Sequence, residues 1–151
     1  MNDNLNLTEY VTFAAAGQLF GLPIGRVQDV FRPATITRVP LAGPEIAGVL
    51  NLRGRIVTAI HLYARLGLEN RNRNETPMAI GIESGSESFG LLVDSVGEVL
   101  KLSDADREPN PINLDRNLAR VSSGVFRLDG QLLVVLDIDR LLDLGTEAAA
   151  A

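Results

Sequence analysis

The sequence predicts an all-β fold with few short helices, built as two similar halves. Three observations predict it: short runs of Val, Ile and Leu broken at close intervals by turn residues, two stretches that alternate like β-hairpins, and an internal duplication. In the first hairpin Val11, Phe13 and Ala15 alternate with Thr12 and Ala14. Gly17 and Gln18 make the turn, and Phe20, Leu22 and Ile24 resume the alternation. The second runs from Ile80 and Ile82 through the turn "SGSES" into Phe89, Leu91 and Val93.

The duplication links these hairpins. "FGLPIGRVQDVFR" from Phe20 lies on "FGLLVDSVGEVLK" from Phe89 without a gap, an offset of 69 residues that pairs Val27 with Val96, Asp29 with Glu98 and Val30 with Val99. "GVLNLRGRIVTAIHLYARLGL" from Gly48 lies on "GVFRLDGQLLVVLDIDRLLDL" from Gly124 at an offset of 76. One order of hairpin, strand, loop, strand pair and short helix therefore occurs twice, with seven extra residues in the second connection. Two halves with about five short strands each suggest small barrels, which close their sheet edges. Helical signal is confined to "LYARLGL" and "IDRLLDL", with Asp139 placed to cap the second. Pro40, Gly43 and Pro44 punctuate a turn before Gly48, and "SDADREPNPINLDRN" reads as a surface loop. The domain is set at residues 8–145, with flexible termini at 1–7 and 146–151.

Composition narrows the function. A chain of 151 residues with 46% hydrophobic residues buries a sizeable core as one domain or as two halves sharing it. Without cysteine there are no disulfides, thiolate metal sites or cysteine nucleophiles. A net charge of −5 argues against nucleic acid as a partner. Arg71 and Arg73, bracketed by Glu69 and Glu75, read as a solvated loop. No apolar run approaches the roughly 18 residues of a membrane helix, and the N-terminus lacks a signal-peptide pattern. The expectation is a soluble cytoplasmic protein with no direct membrane insertion.

The polar residues of "VLNLRGRIVTAIHL", Val49 to Leu62, need a separate account. The segment carries Asn51, Arg53 and Arg55 and reaches the only histidine of the chain, His61. A catalytic or zinc site built on one His and no Cys would depend heavily on carboxylates. His61 also falls opposite Asp137 in the duplication, so a structural role at a strand end is expected. Asp137 and Asp139 read as a strand end and a helix cap rather than a metal site, since no third oxygen ligand lies at suitable spacing. "GSESFG" joins two strands, whereas phosphate-cradling loops open a helix. No catalytic residue, metal or cofactor is predicted. Asn51 and Arg53 stand out because their counterparts are Arg127 and Asp129, while Leu52/Leu128 and Gly54/Gly130 recur. Arg53 is then either an exposed turn arginine or a recognition residue.

At "NLRGRIV" the chain resembles the CheW family of bacterial chemotaxis coupling proteins, whose hallmark is NLRG followed by an apolar strand. The resemblance runs from about Glu9 to Leu144 and is supported by "GLPIGRVQDVFRPATITRVP", "FGLLVDSVGEVL" and "LLVVLDIDRLL". It implies two intertwined five-stranded barrels resembling SH3 domains, related by a pseudo-twofold around a shared hydrophobic core. It also implies a non-enzymatic adaptor that couples the cytoplasmic tip of chemoreceptors to the regulatory domain of the histidine kinase CheA. A scaffold of a paralogous pathway, controlling surface motility or biofilm formation, is the alternative. Arg53 matches the family's functionally sensitive arginine. Val27, Asp29 and Val30 match positions associated with the receptor groove, and Asn51 and Ile56 are placed with them in partner binding. Asp29 and Arg53 are expected to pair. Thr58 replaces a common proline, His61 a common aspartate, and Asp29 is shorter than the frequent glutamate.

Overall fold

In the computed structural model, residues 6–69 and 77–143 are described. The loop of Arg71 and Arg73 and the C-terminal segment 146–151 lie outside them. Strand β1 (Leu7–Ala15) begins at the edge of the N-terminal segment expected to be flexible and pairs with β2 (Gln18–Pro23), with Phe13 opposite Phe20. Phe20 and Leu22 are fully buried, but Ile24 leaves the expected alternation and is 43% exposed. Pro23 cannot donate to a ladder, and the chain turns through a 3-10 turn, Ile24–Arg26, away from the first hairpin. There follow β3 (Val27–Phe31), β4 (Ile46–Leu52), β5 (Arg55–His61) and α1 (Leu62–Arg65), then β6 (Met78–Ser84), β7 (Glu87–Val93), β8 (Ser95–Ser103), α2 (Arg116–Val121), β9 (Ser122–Leu128), β10 (Gln131–Leu136) and α3 (Ile138–Leu141).

The strands form two five-stranded sheets, ordered β8-β1-β2-β10-β9 and β3-β6-β7-β5-β4. Replacing each strand of the first by its duplicate gives the second. Register repeats as well: Val134 faces Phe20 in the parallel β10·β2 pair, and Thr58 faces Phe89 in β5·β7. A bulge interrupts β1·β8 between Val11 and Phe13, and β3·β6 between Val27 and Asp29. The repeats do not each build a barrel; every barrel joins the hairpin of one repeat to three strands of the other.

Each sheet curls around its own apolar cluster. Tyr10, Phe126, Leu133 and Val135 fill the first barrel, joined by Leu100 from one edge strand and Leu128 from the other. Leu50, Val57, Ala59, Ala79 and Leu92 fill the second, with Phe31 and Leu52 from its edges. The fillings compensate in size. Tyr10 and Phe126, whose rings meet edge-on at 5.4 Å, occupy the positions of Ala79 and Leu50, while Phe31 stands where the first barrel has Leu100. A third cluster drawn from both repeats, including Phe13, Phe20, Ile60, Ile80, Ile82, Leu91, Val134 and Leu136, holds the barrels together. Burial of each such side chain contributes about 1.5–3 kcal/mol, so this shared core binds the two barrels to one another.

Outer edges are closed by the β3–β4 and β8–β9 connections. Thr37 exchanges two backbone hydrogen bonds of 2.8 Å with Val49, and Glu108 two of 2.8 and 2.9 Å with Val125. Beside these bridges sit Gly48 (φ 147°) and its duplicate Gly124 (φ 142°). A Cβ on Gly48 would overlap the Thr37 carbonyl oxygen, so the bridge requires glycine there.

The helices correct two expectations. Asp137, not Asp139, caps α3, accepting a hydrogen bond from the Arg140 amide at 3.1 Å; Asp139 sits in the first turn and reaches Arg26 at 3.6 Å. The strand ends at Leu136, two residues too early for Asp139 to be the cap. The segment expected to be only a surface loop contains a 3-10 turn, Asp104–Asp106, and leads into α2. Asp115 caps that helix by accepting from the amides of Asn117 (2.8 Å) and Leu118 (3.3 Å). Leu118 and Val121 bury one face of it.

Candidate partner-binding site

Strands β3 and β4 are the two edges of the second sheet, and the predicted site lies where those edges meet. Asn51 and Ile56 form the penultimate pair of the β4–β5 hairpin, and Leu52 and Arg55 the last. The two-residue turn between them has φ of 54° at Arg53 and 84° at Gly54, as a type I′ turn demands. Asn51 stabilises it, its Oδ1 accepting the Gly54 amide at 2.9 Å. Arg53 is one of three left-handed non-glycine residues among those described, and its duplicate Asp129 is not among them. Its conformation costs about 1 kcal/mol relative to glycine, which tells against a filler residue.

The turn carries the Arg53 side chain across the seam. Its guanidinium lies 3.7 Å from Asp29 Oδ2, with the arginine 80% exposed and the aspartate 22%. Such a pair contributes about 0–1 kcal/mol to stability, so its effect is chiefly to orient the arginine. Asp29 is itself positioned by the β3 bulge and by Gly81 opposite it, where a Cβ would overlap the carboxylate. A second link crosses the seam beside the first. Arg55 donates to Gln28 Oε1 at 3.4 Å, and Gln28 Nε2 donates to Glu83 at 2.8 Å. Val30 next to Asp29 is 40% exposed and Ile56 next to Arg55 is 64% exposed. Ile56, Arg55 and Thr58 also line an open cavity of about 370 Å³ with Ser86, Glu87 and Ser88.

Asp29, Val30, Arg53 and Ile56 thus belong to segments that meet at one seam, charged at its centre and flanked by exposed aliphatic side chains. Val27 differs from them, packing against the shared core. Asn51 serves the turn through its own side chain. Gln28, Arg55 and Gly81 lie at the same seam, and the sequence does not single them out for it. A glycine in the apolar strand "MAIGIES" is the signal that was available for Gly81, since glycine inside a strand often marks a close approach.

His61 is at the end of β5 and is half-buried, which lowers its pKa below the usual 6.5 by desolvation. Its ring lies 5.2 Å from that of Tyr63 and its amide donates to the Glu45 carbonyl at 2.8 Å. It occupies the cap position of α1 but makes no side-chain cap bond, whereas its duplicate Asp137 does. Among the described residues no three His, Cys, Asp or Glu side chains are grouped to hold a metal, and no helix is long and apolar enough to cross a membrane.

A protein described as chemotaxis protein CheW from Rhizobium meliloti is 29% identical over 145 residues, covering 94% of this chain and 92% of that one. The chemotaxis protein CheA of Salmonella typhimurium is 24% identical over 148 residues, which cover 97% of this chain but 21% of CheA. The crystal structure of the scaffolding protein TtCheW from Thermoanaerobacter tengcongensis superposes with a TM-score of 0.82 at 28% identity, covering 95% of this chain and 93% of that one. The family model for the CheW-like domain matches residues 9–145, and with its two interlocked five-stranded sheets this chain belongs to the CheW family.

Proposed function

We propose that this protein is a non-catalytic adaptor of bacterial chemotaxis, working in the cytoplasm to couple chemoreceptors to the histidine kinase CheA. Family membership and the likeness to a scaffolding protein support the adaptor role. The similarity to a stretch amounting to about a fifth of CheA supports an interaction with that kinase, and the regulatory domain is the partner proposed here on the family resemblance. The observation that carries the site assignment is the Arg53–Asp29 pair at the seam. An exposed arginine, held in a strained turn and aimed by a half-buried carboxylate, gives orientation and specificity to a docking surface while adding little to stability. Val30 and Ile56 supply the apolar contact area beside it, and the cytoplasmic tip of a receptor offers helices whose aliphatic residues fit such a surface.

The test is a binding assay with purified CheA regulatory domain and a receptor cytoplasmic fragment, comparing the native chain with Arg53→Glu. The native chain binds both partners. The variant stays folded and loses at least one of them. Failure of the folded native chain to bind either partner overturns the adaptor assignment, and unaltered binding by Arg53→Glu overturns the assignment of the seam.

A further inference from the structure

We propose that a cavity between the three short helices is a binding site for a phosphate-sized oxyanion. Arg65 from α1, Arg120 from α2 and Arg140 from α3 line it together with Asn117, Val121 and Asp143, and its volume is about 200 Å³. In a chain of net charge −5, three guanidinium groups from three separate helices converge on one concavity, opposed among the described lining residues by a single carboxylate, Asp143.

Two of the arginines are oriented by the backbone. Arg65 donates to the carbonyl oxygens of Leu141 (2.7 Å) and Arg140 (3.1 Å), which fixes its fork against the end of α3. Arg140 donates to the Ser122 carbonyl at 3.5 Å through one terminal nitrogen, and its Nε lies 3.7 Å from Asp137, which leaves its other terminal nitrogen outside these contacts. Arg120 is exposed, and its side chain makes no hydrogen bond or ion pair among the described residues. A site with two immobilised guanidinium groups and one uncommitted group suits an ion that accepts several charge-assisted hydrogen bonds at once. The Asn117 amide adds a neutral polar group to the lining. Volume sets the class of ligand. Pockets for drug-sized molecules span about 300–1,000 Å³, and this smaller, open one suits a single tetrahedral oxyanion. None of these residues belongs to the seam of Asp29 and Arg53, so the site stands independently of the adaptor assignment.

The experiment titrates the full chain with inorganic phosphate, and separately with phenyl phosphate, at constant ionic strength held by chloride. The readout is the amide spectrum of Asn117–Val121 and Leu141–Asp143 by nuclear magnetic resonance. The expected result is a saturable shift confined to those amides, with Arg120→Gln weakening binding about tenfold and Asp143→Asn strengthening it. Saturation by phosphate alone assigns a free ion as the ligand, and saturation by phenyl phosphate as well assigns the phosphoryl group of an ester. Shifts that grow linearly with both anions, or a curve unchanged by Arg120→Gln in a chain that keeps its native spectrum, overturn the proposal.

Discussion

Gly81 faces Asp29 across the β3–β6 ladder, and the absence of a side chain on the glycine is what lets the Asp29 carboxylate lie over the strand toward Arg53. The orientation of Arg53 is therefore set two steps away, by a glycine in the middle of a buried strand. Gly81→Ala must displace either the carboxylate or the β3 bulge. Because the contact is the tip of a side chain, the expected cost is below about 1 kcal/mol by urea denaturation, together with weakened binding to the partner that Arg53→Glu loses. Unaltered binding would show that Gly81 does not set the direction of the arginine.

Replacing Arg53 by glycine separates stability from recognition. The substitution removes an exposed ion pair contributing about 0–1 kcal/mol and relieves a left-handed residue costing a similar amount or more. Stability is expected to stay level or rise by up to about 1 kcal/mol in thermal unfolding, while partner binding falls. A destabilisation above about 1 kcal/mol would mean that the pair is part of the barrel rather than of its surface.

The duplicated glycines of the edge bridges are predicted to differ. At Gly48 a new Cβ overlaps a backbone carbonyl, that of Thr37, whereas at Gly124 it meets the Arg107 side chain and the Glu108 carbonyl at 3.0 Å. Backbone cannot retreat without breaking the bridge. Gly48→Ala should cost more than Gly124→Ala by about 1 kcal/mol or more, measured by denaturant unfolding of the two variants side by side.

His61 predicts a pH dependence with a definite sign. Burial holds its pKa below 6.5, so the folded chain disfavours the imidazolium. That contribution to stability is complete above pH 6.5 and is lost as the pH falls through the lower folded-state value. His61→Asp removes the titration from this range and copies the capping residue of α3. It should raise stability by about 0.5–1 kcal/mol at pH 7.5 and by more at pH 5, as read from urea midpoints at both values. An equal gain at both would deny the histidine its role.

Much of this was legible in the sequence because it rests on periodicity and repetition. Alternation located the hairpins, and the offsets of 69 and 76 matched strands that do turn out to be structural equivalents. The Arg53–Asp29 pair was accessible through family resemblance. What stayed hidden depends on geometry within a few residues or on segments brought together only by folding. The β3 bulge sends Val27 toward the shared core, and no residue type announces a bulge. Asn51 stands out in the sequence because its duplicate differs, but the hydrogen bond by which its side chain closes its own turn is visible only in the fold. Helix α2 was masked because Leu114, Leu118 and Val121, at helical spacing, are shared between a Pro-rich loop and the strand that follows at once. The arginine cavity draws on α1, α2 and α3, which no local window contains.

The exchange of hairpins between repeats has a consequence for how the chain is made. Strands β3 to β7 are consecutive, so the second barrel occupies one uninterrupted stretch, from Val27 to Val93, and has all its strands once that stretch has left the ribosome. The first barrel is split around it. Its opening hairpin is synthesised first, yet β8, β9 and β10, which cover that hairpin on both sides, are synthesised last. Tyr10 and Leu19, which pack against Leu100, Phe126 and Leu133, must therefore wait for the far end of the chain, and the earlier-born hairpin is the later one to be sealed. Vectorial synthesis thus gives the two repeats different histories, although in the finished protein they are nearly interchangeable.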